Sequence, residues 1–163
     1  MKQTVTLRSF KTTDLPNILQ IERSSFDRDA WSRDVFLEYA SMASVLFVVA
    51  RVAGSVAGYL IACPARSGAE IASLAVCPRY RRKGVATALI KTTVRKLRWS
   101  GAQAVWLMVR RQNQEAIQLY RKLGFVRTGT VRNYYDDNSS GWRMRLGLVD
   151  NRHPSNSLRI SSA

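Results

Sequence analysis

The stretch from Ile71 to Ile90 restricts the fold of this chain more than any other, because its hydrophobic period changes partway along. It opens with an apolar run ending at Val76, too short for a helix and followed at once by Cys77-Pro78, and so reads as a buried strand that stops at the proline. A basic turn, Arg79 to Lys83, comes next. From Gly84 the spacing turns helical. Val85, Leu89, Thr92 or Thr93 and Leu97 recur at threes and fours, leaving Lys91, Arg95, Lys96 and Arg98 for water.

A strand, a short Arg/Gly turn and a helix together make an anion site. The first amides of a helix have no partner within it and lie at the positive end of its dipole, so a phosphate placed there satisfies several donors. Gly84 and the small Ala86 permit close approach to the backbone, and Arg81, Arg82 and Lys83 add permanent charge. Neither the Gly-x-x-x-x-Gly-Lys-Ser/Thr spacing of a nucleoside-triphosphate loop nor the Gly-x-Gly-x-x-Gly of a dinucleotide site occurs here.

Taken in order, the chain alternates between the two periods. Thr4 to Phe10 reads as a strand. Thr12-Thr13-Asp14 with Pro16 opens a helix whose stripe is Leu15, Ile18, Leu19 and Ile21, ending near Ser24. Ser25 to Ala30 forms a charged connection, and Ser32 starts a second helix with Val35, Phe36, Tyr39 and Met42 on its stripe. Val45 to Arg51 and Ser55 to Cys63 make a hairpin, and Arg66-Ser-Gly68 turns into the strand ending at Val76. After the long helix, stopped at Ser100-Gly101, Gln103 to Val109 is again a strand. Asn113 caps a fourth helix carrying Ala116, Ile117, Tyr120 and Leu123, closed by Gly124. Phe125 to Val131 and Trp142 to Leu148 form a last antiparallel pair around a polar loop, Asp136 to Gly141. Hairpins mixed with strand-helix-strand units predict an α+β domain: one mixed sheet with helices on both faces. The domain spans 1–149, and 150–163 reads as a polar, mobile tail.

Composition narrows the function classes. No run approaches the roughly 18 apolar residues of a membrane span, and the start lacks the apolar core of a signal peptide. Cys63 and Cys77 each precede a proline and form no metal spacing, which predicts reduced thiols, no metal and a cytoplasmic protein. Net charge is +15 and unevenly spread: residues 1–78 hold 8 Lys/Arg against 7 Asp/Glu, residues 79–145 hold 16 against 3. A polyanionic cofactor accounts for part of that surplus. The remainder makes an RNA-rich particle such as the ribosome a candidate second partner, with a solvated basic face as the plain alternative.

Two segments carry a family resemblance. Arg81-Arg-Lys-Gly84-Val-Ala86 fits Arg/Gln-x-x-Gly-x-Gly/Ala, and Asn113-Gln-Glu-Ala-Ile-Gln-Leu-Tyr120-Arg-Lys-Leu-Gly-Phe125 fits Asn-x-x-Ala-x-x-Leu-Tyr-x-x-x-Gly-Phe. Both resemble the GNAT acetyltransferase superfamily, and the element order agrees over about residues 4–149. The resemblance implies the GNAT fold, a mostly antiparallel mixed sheet of about seven strands, with acetyl-CoA as cosubstrate. It places the diphosphate on Arg81, Arg82, Lys83, Gly84, Val85, Ala86 and Thr87. It sets pantetheine against the backbone of Leu74, Ala75 and Val76 and against Asn113. It aims the Val76 amide at the thioester oxygen and puts the Tyr120 phenol beside the leaving sulfur. Asn113 also reads as a plain N-cap, and Tyr120 as part of a buried stripe.

Ile21 to Phe26 with Ala30-Trp31-Ser32, and Arg132-Asn-Tyr-Tyr135, are similar to bacterial ribosomal-protein N-terminal alanine acetyltransferases. This implies an acceptor groove bordered by Phe26, Trp31, Tyr134 and Tyr135, and a protein N-terminus or peptide as acceptor. Tyr134 and Tyr135 could equally serve cross-strand packing. One departure stands out: Met108 occupies the position where those enzymes carry a glutamate regarded as their general base. Without it, Glu22, Glu70 or a water held by Tyr134 is left as proton acceptor. An α-amine of pKa ~7.8 is about one third neutral near pH 7.5 and a lysine at ~10.4 about 0.1%, a difference of roughly 3.5 kcal/mol favouring the α-amine. The rival readings are acetylation of aminoacyl-tRNA or of protein lysine, and a degenerate GNAT domain that binds RNA or protein without turnover.

Overall fold

The computed structural model describes residues 3–148, so the tail expected over 150–163 lies outside the described residues. Seven strands and four helices follow in the expected order: β1 (Val5–Ser9), α1 (Leu15–Phe26), α2 (Arg33–Ser41), β2 (Leu46–Val52), β3 (Ser55–Ala65), β4 (Gly68–Val76), α3 (Val85–Trp99), β5 (Ala104–Arg110), α4 (Gln114–Lys122), β6 (Val126–Val131) and β7 (Gly141–Gly147). They form one sheet in the order β1-β2-β3-β4-β5-β7-β6. The β4–β5 pair is parallel and the rest are antiparallel.

Each face of the sheet has its own core. Val85, Leu89, Ile90, Val94 and Leu97 of α3, with Ile117 and Tyr120 of α4, pack on Leu60, Ile71, Val105, Leu107 and Met144. On the opposite face Leu15, Ile18 and Ile21 of α1 and Phe36 of α2 cover Phe47, Val49, Tyr59 and Ile61.

Several local expectations shift. Met42 lies beyond the end of α2 and is 42% exposed, so it leaves the stripe to Phe36. The charged connection after α1 is shorter than expected, because α1 runs to Phe26 and Asp27–Asp29 coil into a 3-10 turn. β3 runs past Cys63 to Ala65, through Pro64. A proline is tolerated there because pairing with β2 ends at Ala62, leaving no ladder hydrogen bond for the missing N–H.

The feature that matters for function is in β4. Its register with β3 jumps from Ile61↔Ser73 to Ala62↔Ile71, which leaves Ala72 as an extra, unpaired residue. Such a bulge bends its strand. Pairing of β4 with β5 accordingly covers Gly68↔Ala104 to Ile71↔Leu107 and stops. Below the bulge the two strands touch closely: a Cβ on Gly68 would lie 1.9 Å from the Ala104 carbonyl oxygen. Above it they diverge, opening a wedge bordered by Ser73 to Val76.

Candidate active site

The wedge exposes backbone rather than side chains. The Cys77 amide donates to the Ala57 carbonyl of β3 at 2.8 Å, so strand alternation turns the amides of Ser73 and Ala75 toward β3 as well. The amides of Leu74 and Val76 then face the wedge. The Val76 carbonyl is occupied: Arg81 Nε donates to it at 3.0 Å, while Arg81 Nη2 donates to Ser25 Oγ at 3.2 Å. Arg81, though exposed, therefore ties the end of β4 to the last turn of α1.

At the wedge mouth, α3 begins without a side-chain cap and without an acid in its first turn. Arg82 (φ 57°) and Gly84 (φ 81°) both adopt left-handed backbone, curling the chain so that successive amides converge. Nothing lies within 4 Å of where a Cβ on Gly84 would sit, so the approach is open. The Ala88 amide bonds back to the Gly84 carbonyl at 3.0 Å, which leaves the amides of Val85, Ala86 and Thr87 ahead of the first helical bond. Arg82 and Lys83 are exposed; Arg82 faces Glu115 at 3.6 Å and Lys83 Nζ lies 5.9 Å from the Tyr80 ring centre. These donors suit a diphosphate on the loop and an extended arm along β4.

Tyr120 is placed by the way α4 ends. The Gly124 amide donates to Arg121 and the Phe125 amide to Tyr120, both at 3.0 Å, with Gly124 at φ 97°. This is a Schellman stop, whose customary apolar contact between the residues three before and two after the cap is here Tyr120 against Phe125, ring centres 5.8 Å apart. The Tyr-x-x-x-Gly-Phe spacing thus has a mechanical reason. Tyr120 is 9% exposed, and burial, reinforced by nearby Tyr135, pushes its phenol up to about 12. Asn113 caps α4, its Oδ1 accepting the Ala116 amide at 3.1 Å.

Across the wedge, the expected acceptor residues divide. Phe26 and Trp31 are half-buried in the α1–α2 core, Trp31 stacking on Tyr39 at 5.0 Å. Tyr134 and Tyr135 meet edge-on at 4.9 Å and flank Gly141, where an added Cβ would strike Met108 Cε at 2.8 Å and touch both tyrosine rings at 3.4 to 3.5 Å. Met108, Tyr134 and Tyr135 are therefore brought together. Burial raises both phenols, Tyr135 to about 12; the Glu70 charge adds to the shift at Tyr134.

One group, Arg110, escaped the sequence reading, and another, Glu22, takes a different role from the proton acceptor considered there. Arg110, at the end of β5, pairs with Asp29 between α1 and α2 and with Asp137 (2.8 Å) and Ser139 between β6 and β7, its guanidinium 3.9 Å from the Tyr135 ring centre. It clasps both loops that border the expected acceptor groove. Its partners lie 81 and 27 residues away, so no local signal in the sequence pointed to them. Glu22 is 1% exposed; its carboxylate accepts the Trp31 amide at 2.9 Å and the Tyr59 hydroxyl, which in turn meets Ser73 Oγ at 3.1 Å. Burial raises the Glu22 carboxyl, while the bonds from Trp31 and Tyr59 oppose the rise. With both oxygens engaged inside the core, Glu22 holds the α1–α2 turn and presents no free oxygen to an incoming amine.

Comparison with known proteins follows this geometry. Residues 13–125 match the model of the acetyltransferase (GNAT) family. An N-alpha-acetyltransferase of Sulfurisphaera tokodaii is 30% identical over 156 residues, covering 87% of this chain and 92% of that protein. The [ribosomal protein bS18]-alanine N-acetyltransferase of Escherichia coli is 33% identical over 130 residues, covering 80% and 86%. The crystal structure of Ard1 from Thermoplasma volcanium superposes with a TM-score of 0.83 at 32% identity, covering 90% of this chain and 99% of that one. An uncapped helix start beside a split pair of strands, and a family match spanning both, lead to one conclusion: the chain belongs to the GNAT acetyltransferase family and is an N-acetyltransferase.

Proposed function

We propose that this protein transfers an acetyl group from acetyl-CoA to the α-amine of a protein N-terminus, by direct attack with both substrates bound, in the cytoplasm. The observation that carries the reading is the wedge above the Ala72 bulge, faced by the Leu74 and Val76 amides and followed in the chain by the uncapped start of α3. The relatives named for α-amino and alanine acetylation supply the acceptor class.

Acetyl-CoA supplies the activated acyl group as a thioester. Amides at the start of α3, with Arg82 and Lys83, hold its diphosphate; Leu74 and Ala75 line its arm, and Asn113 contacts that arm from the start of α4. The Val76 amide donates to the thioester oxygen as negative charge builds there. Tyr120 stays neutral, its phenol lying some three pH units above an ordinary thiol, so full proton transfer to the leaving sulfur would cost roughly 4 kcal/mol. Its role is to donate a hydrogen bond to that sulfur. Phe26, Trp31, Tyr134 and Tyr135 border the acceptor, and the amine's proton passes to water beside Tyr134, within the field of Glu70. Met108 contributes no base, so the enzyme depends on an amine of which a substantial share, about one third near pH 7.5, is already neutral.

The test offers acetyl-CoA with peptides that differ in their first residue, some blocked at the α-amine but carrying a free lysine, and measures thiol release. Release with free α-amines and not with blocked peptides is expected. Release with the blocked lysine peptides alone would overturn the acceptor class, and release with neither would favour a binding domain without turnover.

A further inference from the structure

The outward face of α3 is the most lopsided surface of the molecule. Its inward residues, Val85, Leu89, Ile90, Thr93, Val94 and Leu97, are buried against the sheet. On the opposite side, at intervals of four, three and one, stand Lys91, Arg95, Arg98 and Trp99, all exposed, within an arc of about 100° by helical geometry. α3 contains no acid along its fifteen residues, and these three cations enter no ion pair among the described residues. Trp99 is 89% exposed, by far the largest exposure of a bulky apolar side chain among the described residues. None of the four borders the wedge.

We infer that Lys91, Arg95, Arg98 and Trp99 form a docking strip for single-stranded RNA, separate from the acetyl-CoA site. Uncompensated cations at one-turn spacing track a phosphate backbone, and an indole standing free at the end of the row offers a stacking platform for one base. Unstacked bases are presented by RNA loops and ends, whereas a duplex keeps its bases inside. A lipid surface fits less well. The apolar stripe of α3 is already committed to the core, so the helix has no second apolar face to insert.

The experiment uses the full chain and a fluorescein-labelled 20-nucleotide oligouridine, with anisotropy read across a salt series. Three phosphate contacts predict a log–log salt slope near −2. Trp99→Ala is expected to weaken binding about tenfold and leave the slope unchanged. The triple variant Lys91→Glu, Arg95→Glu, Arg98→Glu is expected to lose binding by more than tenfold and flatten the slope, while keeping the wild-type circular-dichroism spectrum and a cooperative melt, which report that it is folded. Saturating acetyl-CoA should leave RNA affinity unchanged. Competition between the two would overturn the proposal by placing RNA on the diphosphate loop. Equal affinity for a 20-base-pair DNA duplex would remove the stacking role, and tighter retention on phosphatidylserine vesicles than on oligouridine would replace RNA by a lipid surface. Either result overturns the assignment, as does wild-type RNA affinity in the triple variant. Because the assay needs no acetyl transfer, its outcome stands apart from the acceptor reading.

Discussion

The two sides of the wedge are built from different materials. On the proposed cofactor side the groups offered are main-chain amides, those of Leu74 and Val76 and of the first turn of α3, fixed by a bulge and by two left-handed residues. On the proposed acceptor side the groups offered are side chains from the end of α1 and from two loops, held by Arg110 and Glu22. The contrast teaches where tolerance lies. Backbone donors survive most substitutions nearby, whereas a wall of side chains depends on each partner.

Four measurements can break or sharpen that contrast. The largest effect belongs to Tyr120→Phe, the buried side chain at the end of α4 proposed to meet the leaving sulfur. It keeps the packing on Phe125, so the melting temperature should hold while kcat falls about 100-fold. Loss of stability and of turnover together would reduce Tyr120 to packing. Next, Arg110→Met should raise the KM for acceptor peptide about tenfold and leave acetyl-CoA affinity unchanged. In the wild type that KM should rise with salt, because the clasp's ion pairs are part-exposed. Should acetyl-CoA binding fall equally, the two sides are not separable.

Glu22→Gln probes the same wall through pH. The Glu22 carboxyl is raised above its ordinary 4.5, so the native state holds that proton more tightly than the unfolded chain. The stability it contributes is full below pH 4.5 and is lost as pH rises through the raised value. The melting temperature of the wild type relative to Glu22→Gln should therefore fall as pH rises and then level off. A difference independent of pH would mean that Glu22 does not titrate abnormally. The smallest effect is expected for Arg82→Gln. Its pair with Glu115 is largely exposed and the amides around it persist, so acetyl-CoA affinity should weaken only about threefold. A loss of a hundredfold would mean that charge, not backbone, grips the diphosphate.

The same division decided what could be read from the sequence. The elements expected to hold the cofactor were legible because their demands are local: a strand stopped by Pro78, a glycine where φ must be positive, a helix stop at Gly124. The order of elements followed from the change of period, and the sheet from their alternation. The bulge was not foreseen, although Ile71 and Leu74, three apart and both facing the α3 core, break the two-residue rhythm of a flat strand. The clasp joins residues 29, 110 and 137, and no local rule connects them. Met108 was recognised as a departure, and the structure seats it against Tyr134, Tyr135 and Gly141 without a carboxylate in its place.

The Schellman stop of α4 has a last implication, for how such a chain can change over generations. One spacing both ends the helix and sets the depth of the Tyr120 phenol, so a one-residue insertion or deletion between Arg121 and Gly124 would spoil the turn and swing the phenol about 100° around the axis. Arg121 and Lys122, exposed to water, are free to vary in kind. Their number is not.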